Sequence, residues 1–548
     1  MKKFIVVFIG FCLIFTKLQA QNKPSPEELA RDRARNIRLP KSDWHYQRVK
    51  DYVEETPDDD YLHASEAAYE AFRDIKFSVR IHWGVYAMKH VEASWPLLAM
   101  TPADAAEYNQ LYKKWNPQKF DPDGWMRFFK RIGAQCMAFT TKHTDGFSLF
   151  HTNTRVRSRI NYAASTLEPD ANTWKPGLYN SAPVWHNKGN PVLEECDLHY
   201  SVAESPYKQD IVKQLADAAH KHGIKIDFYF PHVDWYDADF RPYDYNPATR
   251  SEPQPSQKLL DEYANHVYRE SSRTPEQTAR FIARHREQLR ELLTNYGKID
   301  MLCLDEFLGA DVWPELRKTV KMIRQLQPDI MIRNRGIGNY GDYYQPEQSV
   351  PAGSDENTGM PWMSICLLGD VFSFDPVGEH YKGAKWVIHN LIDCVAKGGS
   401  FMVCIGPDAD GEFHPEAVRQ LEEVGDWLRV NGQGIYETRF RDVWKSGDYY
   451  FTRSKDNKKV YAFTENIPDE VNGVDGSNLN KVQNLVKVKD QNFVKVTIPS
   501  VTPLKGSKVY MFGHKKPLKW QPEGDGVTVE IPSVMPSKYA IGFEFTVN

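Results

Sequence analysis

The sequence predicts an α/β protein, with a (β/α)8-type TIM-like barrel followed by a C-terminal all-β sandwich. Two patterns support this fold class. Between about residues 70 and 431, short apolar strands alternate with amphipathic helices, as in repeated βα units. From Thr438 onward, short alternating runs are separated by polar turns, which is typical of a sandwich. We therefore expect the barrel over 69–436 and the sandwich over 437–548.

The barrel elements can be placed in order from their apolar periodicity. Helices are predicted over 125–131, 210–222, 281–296, 385–396 and 415–431, and strands over 77–84, 136–140, 224–230, 299–304, 331–336, 372–374 and 401–405. Asp123 is expected to cap the first of these helices. Residues 167–205 lack periodicity and predict a long loop on the catalytic face, and 238–273 predicts a second polar insertion.

Length, charge and cysteine usage narrow the function classes. The 548 residues suffice for a barrel of roughly 250 residues and further domains. A formal net charge of −4 provides no basic field, so no nucleic-acid partner is expected. The cysteines after residue 20 have no metal-ligand spacing, which predicts buried free thiols. Neither a metal nor a cofactor is predicted.

The N-terminus predicts export. Residues 1–20 combine two lysines, an apolar run over 4–15 and a small residue, Ala20, as in a secretory signal peptide. The run is too short to span a bilayer. The alternative to a signal peptide is an N-terminal anchor helix. We expect a periplasmic or secreted protein without a membrane span. Residues 21–68 predict a polar N-terminal extension that wraps the surface.

The most informative stretch runs from 297 to 348. The strand 299–304 leads into Asp305 and Glu306, and the loop after the next strand contains Glu347. In a (β/α)8 barrel, the C-terminal strand ends carry the catalytic groups. Two carboxylates on neighbouring loops are what glycoside cleavage needs, one as nucleophile and one as proton donor. The alternative is that these acids are solvated loop residues.

Two further strand ends carry polar side chains. His82 follows the first strand beside Trp83, and it is either a hydrogen-bonded core histidine or a sugar-binding residue. The strand 136–140 runs into a polar cluster over 141–147 that contains His143. Because the strand ends of a barrel converge on one face, both positions are candidates for the same site.

Together these segments resemble the α-L-fucosidases of glycoside hydrolase family 29. The matching segments are 81–84, 115–125, 141–147, 288–293, 334–336, 344–348 and 406–411. The resemblance covers roughly 70–548 and rests on the order and spacing of these segments. It implies an exo-acting retaining enzyme that releases L-fucose from an oligosaccharide or glycoconjugate by double displacement, without a cofactor.

The resemblance also implies roles for particular residues. Asp305 is expected to be the nucleophile and Glu347 the acid/base, with Glu306 and Glu356 as alternatives for the second role. The residues that match sugar-binding positions are His82, Trp95, His143, Tyr229 and Arg335. Arg335 should keep the nucleophile ionised. Burial should raise the pKa of Glu347 so that it can donate a proton.

Four positions depart from the family pattern. Ser94, Thr144, Cys303 and Glu306 stand where the family usually has glutamate, histidine, tryptophan and glycine. We expect these changes, together with 167–205, to reshape the sugar pocket. The alternatives are therefore an enzyme for a related sugar such as L-galactose, or a non-catalytic sugar-binding protein. The sequence does not determine the oligomeric state.

Overall fold

The computed structural model describes residues 23–98, 100–165, 167–174, 182–187, 192–240, 274–351, 359–467, 485–488 and 491–547. The expected signal peptide at 1–20, most of the insertion at 238–273, and Glu356 lie outside these residues. Within the described ranges, no helix is long and apolar enough to cross a membrane.

The helices and strands of the described residues follow the predicted alternation. The helices are α1 (Pro26–Ala34), α2 (Trp44–Val49), α3 (Glu66–Asp74), α4 (Pro102–Tyr108), α5 (Pro122–Arg131), α6 (Ile211–His222), α7 (Pro275–Asn295), α8 (Trp313–Leu326), α9 (Gly383–Ala396) and α10 (Pro415–Asn431). The strands up to the end of the barrel are β1 (Phe77–Ile81), β2 (Cys136–Thr140), β3 (Val156–Ile160), β4 (Leu167–Trp174), β5 (Ala182–Asn187), β6 (Leu193–Leu198), β7 (Lys225–Pro231), β8 (Met301–Asp305), β9 (Met331–Ile332), β10 (Met363–Leu367) and β11 (Ser400–Ile405).

Side-chain caps fix where the barrel helices begin. The Asp210 carboxylate accepts the backbone N–H of Lys213 at the start of α6. Helix α7 begins with a capping box between Thr274 and Gln277, which satisfies two backbone donors at once. At α5 the cap is Asp121 rather than the predicted Asp123, because the helix begins three residues earlier than expected, at a proline.

Seven parallel strands form the barrel sheet, in the order β10-β11-β1-β2-β7-β8-β9. Every residue of β1, β2, β8, β10 and β11 is buried. Strands buried on both faces read as continuous apolar runs, which is why the sequence pattern located most of them. Parallel pairing brings the C-terminal ends of these strands to one face of the sheet.

An irregular segment connects the two edge strands, β9 and β10. Tyr343 forms a parallel bridge with Arg333, just after β9. Tyr344 and Glu347 form parallel bridges with Trp362 and Ile365, on the side of β10. We call residues 343–347 the seam segment. It takes the place of an eighth strand, and the described residues between β9 and β10 contain no α-helix, only a short 3-10 helix over Gly338–Tyr340.

Three sequence-based predictions differ from the structure. The predicted strand at 372–374 is wrong: these residues form bends, and the strand of this unit is β10, which was not predicted. Residues 167–205 are not a plain loop, because β4 pairs with β5 and β6 pairs with β3, both antiparallel. Of these strands, β6 alternates between exposed and half-buried residues, and its sequence is too polar to show an apolar periodicity. The predicted strand at 331–336 is only two residues long, because beyond Ile332 the chain forms a single bridge with the seam segment instead of pairing with a regular strand.

The C-terminal part is a β-sandwich, as predicted. Its strands are β12 (Arg439–Ser446), β13 (Tyr449–Arg453), β14 (Lys459–Thr464), β15 (Leu485–Val488), β16 (Gln491–Ile498), β17 (Val509–Met511), β18 (Lys519–Glu523), β19 (Gly526–Pro532) and β20 (Ile541–Thr546). One antiparallel sheet has the order β12-β13-β14-β20-β17 and the other β15-β16-β19-β18. Residues of both sheets, such as Phe451, Phe543 and Val529, share one apolar core.

Candidate active site

A cavity of about 240 Å³ lies at the C-terminal ends of the barrel strands. All seven predicted site residues line it: His82, Trp95, His143, Tyr229, Asp305, Arg335 and Glu347. The parallel strand order explains the convergence, since the residues at or just after the ends of β1, β2, β7 and β8 meet on one face.

Asp305 is held from several sides. It is the last residue of β8, and its backbone C=O accepts the N–H of His232 at 2.8 Å. On the neighbouring strand β7, Tyr229 pairs in register with Cys303, two residues before Asp305. The Tyr229 hydroxyl donates to Oδ2 of Asp305 at 2.6 Å. The carboxylate is therefore fixed in orientation at the floor of the cavity.

Two arginines bridge the two predicted catalytic carboxylates. Arg335 donates through Nη1 to Oδ1 of Asp305 and through Nη2 to Oε1 of Glu347, the latter at 2.7 Å. Arg333 donates to the same two oxygens, at 3.3 Å to Asp305 and 2.8 Å to Glu347. We call Arg333 and Arg335 the arginine clamp. Since they alternate along one stretch of chain, both guanidinium groups point to the same side.

The arginine clamp sets the charge of both carboxylates. Burial acts to raise the pKa of Asp305, but Arg335 and Arg333 outweigh it and hold this pKa well below its ordinary value. The same balance lowers the pKa of Glu347. The expectation that burial would raise the pKa of Glu347 is therefore wrong, because nothing in the sequence indicated that Arg335 and Arg333 both contact it.

Glu306 has the opposite electrostatics. It follows Asp305 directly, its backbone lies in the left-handed region at φ 63°, and its side chain is half-buried against the cavity. Within the described residues, its carboxyl accepts no hydrogen bond. Burial and the neighbouring Asp305 raise the pKa of Glu306 to about 7. Glu306 is thus the carboxyl of this site that retains a proton near neutral pH.

The two histidines form a neutral wall of the cavity. Nδ1 of His82 lies 3.0 Å from the Thr140 hydroxyl, and Nδ1 of His143 contacts the hydroxyls of Ser94 and Thr144. Burial lowers the pKa of His143 to about 3 and that of His82 well below its ordinary value. In the described part of the chain, Nε2 of each ring has no hydrogen-bond partner, so both remain available to sugar hydroxyls.

Aromatic rings complete this wall. Tyr229 stacks on His143 with ring centroids 5.6 Å apart and planes at 9°. Trp95 lies edge-on to His143 at 6.2 Å and to Trp235 at 5.6 Å. Phe372, from the loop after β10, lies edge-on to the ring of His82. Flat apolar rings beside hydrogen-bonding groups suit the mixed polar and apolar surface of a sugar.

The N-terminal extension also reaches the cavity, which the sequence did not predict. Trp44 and Arg48, both in α2, line it together with the predicted residues. The guanidinium carbons of Arg48 and Arg335 lie 5.2 and 5.4 Å from the Trp44 ring centre, within cation–π range. The sequence shows a tryptophan in a short polar helix, but this pattern does not indicate which part of the protein the helix contacts.

Two of the departures from the family pattern lie behind the cavity wall. Cys303 is 0% exposed and accepts hydrogen bonds from Arg80 at 2.9 Å and Arg333 at 3.3 Å. Thr144 is fully buried against Ser94 and His143. None of these departures except Glu306 lines the cavity, and neither does any described residue of 167–205. The prediction that Cys303 and Thr144 reshape the sugar pocket therefore stays a prediction, and any effect must pass through the groups they contact, Arg333 and His143.

A possible cation-binding group lies outside the cavity, in the loop after β10. Ligand atoms of Asp370, Asp375 and His380 lie within 4.8 Å of one another. Asp375 already accepts the backbone N–H groups of Asp370 and Val377, each at 3.0 Å. His380 Nδ1 lies 3.0 Å from the same carboxylate. These partners explain the cluster as a local brace of the loop.

The family model described as "Alpha-L-fucosidase" matches residues 42–174 and 194–433. The chain belongs to the alpha-L-fucosidase family. Among curated relatives of this family, the alpha-L-fucosidase of Dictyostelium discoideum is 22% identical over 496 residues, covering 85% of this chain and 89% of the relative. Human tissue alpha-L-fucosidase is 22% identical over 511 residues, covering 87% and 88%.

Solved alpha-L-fucosidase structures share the fold. Isoenzyme 1 of Paenibacillus thiaminolyticus aligns with a TM-score of 0.65 and 24% identity, covering 88% of this chain and 99% of that one. A family 29 alpha-L-fucosidase from Bacteroides thetaiotaomicron aligns with a TM-score of 0.64 and 21% identity, covering 90% and 97%. The fucosidase family match begins at residue 42, so Trp44 and Arg48 belong to the matched region.

Proposed function

We propose that this family member is an exo-acting retaining glycoside hydrolase that releases L-fucose from an oligosaccharide or glycoconjugate. The observation that carries the proposal is the ionised Asp305 carboxylate, held by the arginine clamp and Tyr229 in a small cavity with a neutral histidine wall. A small pocket at the strand ends suits removal of one terminal sugar rather than cleavage within a chain.

The proposed reaction has two displacement steps. Asp305 attacks the anomeric carbon and forms a covalent glycosyl-enzyme, while a carboxylic acid protonates the departing glycosidic oxygen. The same carboxyl, now ionised, then deprotonates a water that attacks the anomeric carbon and releases the sugar. A Bacteroides thetaiotaomicron relative with a TM-score of 0.61 is described as a trapped covalent intermediate with 2-fluoro-fucosyl fluoride, which supports this route.

Among the described residues, two carboxyls are candidates for the proton donor, and the third candidate, Glu356, lies outside them. Glu347 occupies the position implied by the family resemblance, but the arginine clamp favours its ionised form. Glu306 retains its proton to about pH 7 and faces the cavity beside the nucleophile. Glu347 becomes a donor only if the bound substrate draws it away from the arginines. The raised pKa of Glu306 favours it over Glu347 as the group that supplies the proton.

The test uses a panel of aryl glycosides and a mechanism-based label. We expect turnover of an aryl α-L-fucoside, and covalent labelling by 2-deoxy-2-fluoro-α-L-fucosyl fluoride on the peptide that contains Asp305. Asp305→Asn should fold normally, lose turnover by several orders of magnitude and take no label. Fucose binding without turnover would instead support a sugar-binding protein, and preferential turnover of an aryl α-L-galactoside would change the sugar.

The location and the domain limits are further proposals. We infer that residues 1–20 direct export and are removed, which leaves a periplasmic or secreted enzyme. N-terminal sequencing of the protein recovered from the native host, with residue 21 expected first, tests this. The barrel domain is proposed over 69–436, after an N-terminal extension at 21–68, and the sandwich over 437–548. This is supported by the end of α10 at Asn431 and the start of β12 at Arg439.

A further inference from the structure

A second depression adjoins the catalytic cavity. This groove, which we call the side groove, has a volume of about 940 Å³, roughly four times that of the cavity. Trp44 and Glu347 line both, so the groove begins at the mouth of the cavity. From there it passes over the seam segment, where the described part of the barrel has no α-helix between β9 and β10, and ends against β12 and β13 of the sandwich.

The far end of the side groove is basic. Lys76, Lys397, Arg439, Arg453 and Lys455 line it there. Three of these cations have carboxylate partners: Lys397 pairs with Asp393 at 2.7 Å, and Arg439 and Lys455 pair with Asp74 at 2.9 and 2.6 Å. Among the described residues, Lys76 and Arg453 form no ion pair. The paired cations are therefore balanced within the protein, whereas the other two are not.

Lys76 is the most informative of these residues. It is only 1% exposed, and its Nζ has no hydrogen-bond partner among the described residues. Its backbone is fixed at the base of β1, because its N–H donates to Gln135 at 2.8 Å and its C=O accepts from Phe401 at 2.9 Å. A buried ammonium without a partner is costly, so such groups are normally paired. A lysine held in this way at a groove wall marks a place for an anion.

The pKa of Lys76 agrees with this geometry. Burial is the largest cause that lowers it, to about 7, and the nearby Arg439 and Lys455 lower it further while Asp74 and Glu70 oppose them. An anion that enters the groove at this point would offset both the burial and the cationic neighbours. The ammonium form would then be the stable one, with a charge-assisted hydrogen bond to the ligand.

An exposed aromatic ring lies at each end of the side groove. Trp44, at the catalytic end, is 48% exposed, and Phe440, at the basic end, is 51% exposed. The Phe440 ring packs over Gly398, where an added Cβ would come within 3.0 Å of the ring. Aromatic side chains that stay about half exposed along a groove are typical of ligand-binding surfaces rather than of a folded core.

We propose that the side groove binds the leaving-group portion of the substrate, and that this portion is a glycan bearing an anionic group, sulfate or carboxylate, that pairs with Lys76 and Arg453. The proposal rests on the proposed function, because the terminal sugar must occupy the catalytic cavity for the rest of the glycan to enter the groove. Glu347 pairs with Ile365, while Lys76 lies across β11 at the level of Phe401. The strand spacings place the two on the order of 15–20 Å apart. A ligand of several sugar residues is therefore required.

The test compares matched substrates that differ only in charge. Sulfated fucan oligosaccharides are compared with their desulfated forms, and uronate-bearing fucosylated oligosaccharides with their carboxyl-reduced forms; the two arms separate sulfate from carboxylate. In Lys76→Met and Arg453→Gln, we expect kcat/KM for the anionic member of a pair to fall about tenfold, the effect of losing one charge-assisted contact. The neutral member and a small aryl fucoside should be unaffected.

Two controls distinguish failure of the side-groove proposal from failure of the proposed function. Lys519→Met removes an exposed cation outside the groove, on β18, and should retain the anion preference. Equilibrium binding to Asp305→Asn measures the groove without turnover, so an inactive wild type would overturn the proposed function while leaving the binding result readable. Equal affinity of the wild type for charged and neutral members, or an anion preference that persists in both groove variants, would overturn the side-groove proposal.

Discussion

The hydroxyl of Tyr229 donates a 2.6 Å hydrogen bond to Oδ2 of Asp305. The two side chains reach the cavity from the neighbouring strands β7 and β8, and the same tyrosine ring forms part of the histidine wall. The orientation of the proposed nucleophile and the shape of the sugar pocket therefore depend on one side chain.

Replacing Tyr229 with phenylalanine should reduce kcat/KM for an aryl α-L-fucoside by about ten- to a hundredfold. Hydrogen bonds to charged groups contribute roughly 1.5–3 kcal/mol. The ring wall should survive, so folding and fucose affinity should change little. Tyr108→Phe is the matched control. The buried Tyr108 hydroxyl donates a 2.7 Å hydrogen bond to Asp145, and neither residue lines the cavity. Equal losses in the two variants would contradict a specific role for Tyr229.

Glu306→Gln and Glu347→Gln identify the proton donor. Loss of the donor should slow substrates with poor leaving groups far more than 2,4-dinitrophenyl fucoside, because an activated leaving group departs without protonation. If Glu306 is the donor, wild-type kcat/KM should fall above about pH 7, as this carboxyl loses its proton, and that limb should vanish in Glu306→Gln. Persistence of the limb and of the leaving-group pattern in Glu306→Gln would exclude Glu306 and leave Glu347 or Glu356 in that role.

The buried carboxyl of Glu92 should make the free energy of unfolding depend on pH. It is buried near Phe372, whose N–H donates to Oε2 at 2.7 Å, and burial raises its pKa to about 8. The folded-state pKa thus exceeds the unfolded value of about 4.3, so the stability linked to the proton is present at low pH and is lost as pH rises toward 8. Glu92→Gln cannot titrate and should gain stability relative to the wild type by a few kcal/mol between about pH 5 and pH 9, at about 1.4 kcal/mol per pKa unit.

Thermal unfolding of both proteins across this pH range is the measurement. Glu379→Gln serves as the control, since its carboxyl is exposed and it lies in the loop after β10 that also contains Phe372. A Tm difference between wild type and Glu92→Gln that stays constant with pH would contradict the prediction.

Cys303→Trp, which would restore the residue usual in the family, should damage this protein. The thiol is enclosed by Arg80 and Arg333, and the added volume must displace part of the arginine clamp. Overpacking typically costs about 1–3 kcal/mol, and displacement of Arg333 would also leave Asp305 without one of its partners. We expect a lower Tm and lost turnover. Cys196→Trp, in the half-buried strand β6, should instead retain the Tm and turnover of the wild type. A stable Cys303→Trp enzyme with faster aryl fucoside turnover would contradict this.

The sequence predicted the parts of the site that rest on regular strands. Asp305 lies at the end of a buried strand, where an apolar run followed by polar residues is visible in one dimension, whereas Tyr229, inside β7, was implied only by the family resemblance. His82 and His143 follow the same logic on β1 and β2. The family resemblance then supplied roles that the pattern alone left open.

The remaining features depend on contacts between distant parts of the chain. Trp44 reaches the cavity from a short helix with no periodicity, and the destination of that helix is set by tertiary packing. Arg333 lies in the predicted strand beside Arg335, yet only the folded seam brings Glu347 within its reach. The prediction for the charge of Glu347 was wrong for that reason, because burial was foreseeable from the sequence and the contacts of Arg335 and Arg333 with Glu347 were not.

The seam segment has a consequence for how this fold diversifies. Asp305 belongs to the regular sheet, whose register is shared with six other strands, whereas Glu347 belongs to a stretch joined to its neighbours by single bridges. Insertions or deletions between β9 and β10 can therefore relocate the second carboxyl while the first stays in place. Variation in aglycone preference and in the residue that handles the proton can accumulate there without refolding the scaffold, much as loops vary on other barrels.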